Sequence, residues 1–431
     1  MPLSMWKHIL SITSMSSSAL NGTASPSPVL GSATIQELRS QWVNPNDVLS
    51  VLLIIGGDLV QKALAQSSGG TWTPVCFSFG WVAYSLTAFV GVLGDGRLLP
   101  PPDYPAKVYN LKSGYARENQ NWVIGRILRD NEIVQSRDHP LRGRAIRISI
   151  YEAQSRKDSR LVARFAISRV KLLAMATIMV QMMVAALPFA WYGEWAVLFI
   201  TAGGTLLACC AGALPQWRAE KLPLFRDSAK DFAVTSGNGS KDIMIVLGCG
   251  HSLDLEKFAT PETPRSSLMW VGSRLLSTAV YHPRTGRPLL NDGGYEIREA
   301  VTVWGIPVGY WITVFMCAVQ SLCWLALLIS VAGLKSHTWY LLIVGCLGMF
   351  QNAAVAGVSR SPDKRFLPLK LVKTVITSKV MDGLMDLEIS YPGRAKRLLS
   401  EFFPGDLRPD EVAWWNGDRY AYDKKRSHST R

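Results

Sequence analysis

Six long apolar stretches, separated by polar and strongly charged segments, dominate the pattern of this chain. Each is close to the ~20 residues that a helix needs to cross the ~30 Å hydrocarbon layer of a bilayer. They cover residues 48–66, 74–94, 172–190, 196–214, 310–334 and 338–357. The third and fourth stretches contain no charged residue, which few helices of soluble proteins tolerate. The pattern therefore predicts an α-helical integral membrane protein with six transmembrane helices.

The connections between the stretches alternate between very short and long, which predicts three helical hairpins. Residues 67–73 and 191–195 contain no Lys or Arg, and residues 335–337 contain one. By contrast, residues 95–171 contain 16 Lys and Arg against 8 Asp and Glu. Because basic residues concentrate in cytoplasmic loops, we expect both termini and both long loops in the cytoplasm. The membrane is that of the endoplasmic reticulum or the cell surface.

The soluble segments predict a small α/β cytoplasmic part packed under the six helices. Residues 145–151 and 241–250 have the pattern of strands, with a further strand near 277–281. Residues 371–388 have apolar positions at helical spacing. The expected order is a disordered cytoplasmic tail (1–47), hairpin 1 (48–94), a basic loop (95–171), hairpin 2 (172–214), an α/β loop (215–309), hairpin 3 (310–357) and an amphipathic cytoplasmic tail (358–431).

The net charge of +14 would suggest nucleic acid as the partner of a soluble protein. Here no nucleic-acid-binding motif accompanies it, and anionic lipid head groups are the simpler partner of cations next to membrane helices. The seven cysteines include no CxxC pair, so the sequence predicts neither a metal site nor a disulfide framework. No cofactor motif is present. The expected partners are the lipid bilayer and a lipophilic small molecule.

Four polar residues within the apolar stretches are the candidate site residues. Asp58 and Lys62 are four residues apart and lie on one helix face, where an ionisable pair inside a membrane is a functional hypothesis by default. The alternative is an internal salt pair, with Lys62 reaching to the interface. Gln181 and Gln320 lie near the middle of their stretches and could line one polar cavity with Asp58. Their alternative role is hydrogen bonding between helices.

One short cluster of reactive residues occurs in a soluble segment. Cys249 is at the end of the predicted strand at 241–250, His251 directly follows that strand, and Asp254 comes soon after. The complete glycine-rich phosphate-binding motif is absent. The remaining chemical hypothesis is that Cys249 acts as a nucleophile with His251 as its base. Two glycosylation sequons begin at Asn21 and Asn238. Both fall on the predicted cytoplasmic side, so we expect neither to carry a glycan.

Several segments resemble a largely uncharacterised family of filamentous-fungal multi-pass membrane proteins. They are residues 213–221 (ALPQWRAEK), 239–256 (GSKDIMIVLGCGHSLDLE), 345–360 (GCLGMFQNAAVAGVSR) and 379–387 (KVMDGLMDL), with the pair Trp414-Trp415. The resemblance covers residues 42–415 and brings no catalytic residues with it. It implies a role in fungal secondary metabolism, through the association of such proteins with natural-product genes.

Three functions are compatible with the sequence. The first is an accessory or cyclase-like role in secondary-metabolite biosynthesis, in which Asp58, Gln181 and Gln320 would surround a lipophilic substrate. The second is a non-catalytic membrane scaffold whose basic loops and tail recruit partners. The third is a small-molecule transporter, although no internal repeat marks one.

Overall fold

The computed structural model describes residues 46–68, 73–154, 169–221, 228–250, 254–260, 277–279, 298–360, 362, 367 and 369–429, and this part of the chain is mostly helical with a small sheet. The helices are α1 Asn46–Ile54, α2 Gly57–Ser67, α3 Trp81–Gly94, α4 Trp122–Asp138, α5 Arg169–Tyr192, α6 Ala196–Ala213, α7 Pro215–Lys221, α8 Leu255–Phe258, α9 Val308–Ala332, α10 Thr338–Gly357, α11 Val380–Ser390, α12 Leu399–Phe402, α13 Pro409–Trp415 and α14 Tyr420–Ser429. The strands are β1 Lys107–Asn110, β2 Ala116–Glu118, β3 Ile146–Ala153, β4 Phe232–Thr235, β5 Asp242–Leu247, β6 Ser277–Ala279, β7 Arg298–Ala300, β8 Thr302–Val303, β9 Ile306–Pro307 and β10 Leu369–Thr377. The predicted tail at 1–47 lies almost wholly outside the described residues.

Four helices, α5, α6, α9 and α10, are long and apolar enough to cross a membrane. Large apolar side chains such as Leu172, Phe199 and Phe350 are exposed on their outer sides. A helix that is hydrophobic all round needs apolar surroundings on every side, which lipid supplies. The predicted membrane-embedded, helical class is confirmed for these four helices.

The two turns that join these helices in pairs meet at one end of the bundle. The Ser336 hydroxyl donates to the Glu194 carboxylate at 2.7 Å, and the rings of Tyr192 and His337 stack at 4.3 Å. Trp191 and Trp195 are exposed at this end, as residues of a membrane-interface belt are. The opposite ends of all four helices lead into the soluble segments.

The predicted first hairpin is different in the structure, because neither of its stretches is a continuous helix. Residues 48–66 break at Gly56, whose φ of 91° lies in the left-handed region, and form α1 and α2. Residues 73–78 form neither helix nor strand, residues 79 and 80 form a turn, and α3 begins only after Gly80, whose φ is 86°. Pro74 and the glycines favour such breaks, since proline lacks an N–H and glycine tolerates positive φ.

Helices α2 and α3 both run from the middle of the bundle toward the soluble segments. The Gln66 side chain at the end of α2 donates to the carbonyl of Val358, just beyond α10. The Tyr310 hydroxyl at the start of α9 donates to the carbonyl of Val92, near the end of α3. The predicted turn that follows α2 therefore begins at the soluble end, not beside the turn between α5 and α6.

The soluble segments form one six-stranded sheet in the order β10-β3-β5-β4-β1-β2. Strands β3 and β5 are parallel, and the other neighbours are antiparallel. The predicted strands at 145–151 and 241–250 are confirmed as β3 and β5, and β6 lies within the predicted 277–281. Because β1–β3, β4–β5 and β10 come from three segments separated by spans, those segments lie on the same side of the bundle.

The C-terminal tail is part of this sheet and not a separate amphipathic segment. The helix predicted for 371–388 is wrong, since its first half is strand β10, paired with β3, and only its second half is helix α11. Leu384 and Leu387 of α11 pack against Ile148 and Ile245 on the face of the sheet that points away from the bundle.

The bundle and the sheet are joined through the carbonyl groups at the ends of helices. The buried guanidinium of Arg126 in α4 donates to the carbonyl of Ala356 at 2.8 Å and pairs with Asp103. The ammonium of Lys221 donates to the carbonyl of Ser68 at 2.7 Å. Cations satisfy the last carbonyls of helices and complement the helix dipole. The soluble part is thus attached to the bundle by specific contacts.

Candidate functional site in the middle of the bundle

An extended segment, residues 73–80, is completely buried among the membrane helices. It lies on faces of small residues that belong to α6 and α10. A Cβ at Gly204 would clash with the ring of Phe77, and a Cβ at Gly348 would clash with the Phe77 carbonyl. A Cβ at Gly345 would clash with Phe79. The small-residue faces therefore receive this segment rather than another helix.

Polar side chains of the surrounding helices hydrogen-bond to the extended segment. The amide nitrogen of Gln181 donates to the carbonyls of Phe77 at 2.7 Å and Val344 at 2.8 Å. The Asn352 amide donates to the Ser78 hydroxyl at 2.8 Å. Non-helical backbone at membrane depth is tolerated only where protein or a water-filled cavity surrounds it. Gln181 therefore holds the segment in place, which is the hydrogen-bonding role that the sequence left open.

The segment crosses the break between α1 and α2 at the level of the centre of the bundle. A Cβ at Gly80 would lie 2.6 Å from the carbonyl carbon of Gly56, so the two backbones touch. Gly56 itself lies beside Met349 in the middle of α10. Ser321, in the middle of α9, donates to the carbonyl of Ser85 in the first turns of α3. We call this contact between the two broken elements the crossing.

Two helices begin at the crossing, and aromatic rings cover it. Helices α2 and α3 both start there, so the positive ends of two helix dipoles lie at mid-depth. The ring of Trp324 in α9 stacks on Trp81 at 5.2 Å and on Phe77 at 6.2 Å. These rings and the glycine faces leave the crossing tightly packed.

The four candidate residues predicted from the sequence have different surroundings in the structure. Gln181 binds the extended segment, whereas Gln320 donates to the carbonyl of Leu207 and links α9 to α6. Asp58 is in the first turn of α2 with its side chain exposed, and Lys62 is half-buried one turn later. No ion pair within 4.0 Å joins Asp58 to Lys62 in the described part of the chain. Asp58, Gln181 and Gln320 share no hydrogen bond there, and a single polar site formed by the three stays a prediction.

Glu220 in α7 is a half-buried acid that was not predicted from the sequence. Its carboxylate accepts hydrogen bonds from the backbone of Leu98 at 2.8 Å and Leu99 at 2.7 Å, and from Gln216 at 2.6 Å. Burial raises the pKa of Glu220 to about 7, although these hydrogen bonds oppose the shift. An acid directly after the fourth apolar stretch is the only signal that the sequence offered.

The geometry does not favour the nucleophile hypothesis for Cys249. Desolvation and the hydrogen bond to Glu152 raise the pKa of its thiol, whereas a reactive cysteine needs a lowered one. Asp254 caps α8 by accepting from the backbone N–H of Lys257, and it pairs with Lys230. His251 lies outside the described residues.

Two cavities of the described part lie away from the crossing. One, of about 190 Å³, lies between α11, α13 and α14, where Tyr422 donates to Asp382 and Arg426 makes two hydrogen bonds to Asp386. The other is an open groove of about 460 Å³ beside Glu194 and Ser336. No group of three or more His, Cys, Asp and Glu residues that could hold a metal ion occurs within the described ranges.

The chain was compared with protein-family models, curated proteins and solved structures. None of the three comparisons finds a match. The resemblance to filamentous-fungal membrane proteins therefore stays a prediction.

Proposed function

We propose that this protein is a membrane transporter of a small molecule, and that the crossing of its two broken elements forms the transport site. The observation that carries this proposal is non-helical backbone at the centre of a bundle of membrane-crossing helices. In many transporters, substrate sites lie near the bilayer midplane and are built from discontinuous helices of this kind. Helix breaks at mid-depth are the feature on which such proteins depend.

The other two functions have less support from the geometry. A cyclase-like enzyme needs Asp58, Gln181 and Gln320 around one substrate, and each has different neighbours. A scaffold would recruit partners through apolar positions of its tail; Leu384 and Leu387 are buried against the sheet, and scattered positions such as Val372 and Ile389 are exposed. Transport gives a role to the crossing of the two broken elements, which a protein that serves only as a helical membrane anchor would not need.

The proposed orientation places the sheet in the cytoplasm. Residues 95–171 carry 16 Lys and Arg against 8 Asp and Glu, and residues 191–195 at the other end carry none. This distribution favours a cytoplasmic sheet, according to the bias of basic residues toward that side. In place of three full hairpins, we propose four crossing helices and a pair of half-helices, α2 and α3, that enter from the cytoplasmic side. The basic segments then face anionic head groups, and the membrane is that of the endoplasmic reticulum or the cell surface.

The cargo that fits this proposal is a lipophilic small molecule. The bundle exposes apolar surface to the membrane, from which such a molecule would enter. The resemblance to filamentous-fungal membrane proteins supports a secondary metabolite as the cargo.

Metabolite profiling of a deletion strain, with cells and medium analysed separately, tests the proposal. Transport predicts that the total amount of one product is unchanged and that its distribution between cells and medium changes. Complementation with wild-type protein or Gly203→Ala should restore the distribution, whereas Gly80→Ala at the crossing should not, at equal protein level. Loss of a product with accumulation of its precursor would instead assign the protein to a biosynthetic step.

A further inference from the structure

Asp58 is an acid at the level of the bundle centre whose side chain points out of the bundle. Its neighbour Gly57 lies against the backbone of Tyr84, one residue from the contact between Ser85 and Ser321 in the middle of α9. The Asp58 side chain is nevertheless exposed. A carboxylate at this depth faces hydrocarbon unless another molecule covers it, and intramembrane acids are almost always paired.

Lys62 lies one turn further along α2 on the same outward side. Positions four residues apart share a helix face, and Lys62 is half-buried there. Within the described residues, neither side chain has an ion pair or a hydrogen bond. The spacing of four residues would allow Asp58 and Lys62 to pair with each other, but they do not. Both charges are therefore directed at something beyond α2.

The surface around this pair is apolar. Val51, Ile54 and Ile55, at the end of α1, are each more than half exposed. An apolar surface with one acid and one base beside it fits a partner that offers the same two charges in reverse order.

We propose that a second copy of this chain covers this face, with Asp58 of each copy paired to Lys62 of the other. The two copies would be related by a two-fold axis along the membrane normal. In such an interface each contact occurs twice, so one Asp58–Lys62 pair between the copies implies a second, equivalent pair. Side chains on a helix lean toward its N-terminus, so Lys62 reaches back toward the depth of Asp58. This interface does not depend on the proposed transport function.

Charge reversal in full-length protein tests the interface. Two differently tagged copies are co-expressed, extracted in mild detergent and captured through one tag. The wild-type copies should co-purify. Asp58→Lys with itself, or Lys62→Asp with itself, should reduce co-purification at least tenfold. Asp58→Lys mixed with Lys62→Asp should restore it, because both cross-pairs are then complementary again.

The rescue separates loss of the interface from loss of folding, since the same two variants are used in both arms. The double variant Asp58→Lys/Lys62→Asp should also pair with itself. Reversal of the exposed Glu118 in β2 is the matched control and should leave co-purification unchanged. The proposal is overturned if wild-type copies do not co-purify. Undiminished pairing of Asp58→Lys with itself would overturn it equally.

Discussion

Replacement of Gly204 by alanine tests whether the extended segment is packed tightly against α6. Gly203→Ala, at the neighbouring position of the same helix, is the matched control. A Cβ at Gly204 would lie 2.5 and 2.7 Å from two carbons of the Phe77 ring, where carbon atoms normally stay about 3.5 Å apart or more. A Cβ at Gly203 would have no atom within 4 Å. Phe77 is buried and stacked on Trp324, so it has little room to move.

The difference between these two variants isolates the packing effect. Both substitutions gain the same helix propensity, up to about 1 kcal/mol. Only Gly204→Ala adds overpacking, which costs about 1–3 kcal/mol in a close-packed interior. The free energy of unfolding should therefore be lower for Gly204→Ala than for Gly203→Ala by about 1–3 kcal/mol. This difference in unfolding free energy can be measured by titrating the purified protein in mixed micelles with dodecyl sulfate while unfolding is monitored by tryptophan fluorescence. Equal stability of the two variants would refute the seating of Phe77 on α6.

Three further predictions concern the rest of the molecule. Gln181→Leu should lower the free energy of unfolding by about 1–3 kcal/mol in the same titration, because two buried carbonyls lose their donor. Burial holds the pKa of Glu220 at about 7, above the ordinary 4.5, so its contribution to stability is complete below pH 4.5 and is lost as the pH rises through 7. Wild-type protein should lose roughly 3 kcal/mol over that interval relative to Glu220→Gln, as unfolding titrations at several pH values would reveal. Asn238 should carry no glycan, since it lies on the soluble side that carries the basic segments. The electrophoretic mobility of the protein should therefore be the same before and after glycosidase treatment.

The four long apolar helices, α5, α6, α9 and α10, could be predicted because their composition alone identifies them. An uncharged run such as 172–190 has no stable place in water, whatever its neighbours are. The strands β3 and β5 could also be predicted, because β3 has apolar residues at alternate positions and β5 has a continuous apolar run, and both patterns are typical of strands. These features depend only on local sequence.

The broken elements could not be predicted, because hydropathy does not distinguish a crossing helix from two half-helices. The contact of Gly56 with Gly80 decides where the helices end, and this contact joins residues of different segments. The tail strand was missed for a related reason. Val372 and Ile376 are four residues apart, which suits one face of a helix and one face of a strand equally well. Pairing with β3 determines that the segment is a strand.

The candidate site was predicted only in part. Gln181 was identified from its depth, but its partner, the Phe77 carbonyl, becomes available only because residues 73–80 are not helical. The exposure of Asp58 depends on how α2 is rotated against α10, which the sequence does not specify. Glu220 lies outside the apolar stretches, and its burial arises from contact with residues 98 and 99, more than a hundred positions away.

The most direct test of the account is the side of the membrane on which the chain emerges after α2. A short epitope inserted between Ser68 and Thr73 can be probed with antibody in sealed and opened vesicles, with epitopes at Asn238 and Glu194 as references. We expect the inserted epitope to be accessible from the same side as Asn238, because α2 ends beside Val358 and Lys221. Accessibility from the side of Glu194 would mean that residues 48–94 form a full hairpin, and it would contradict the crossing.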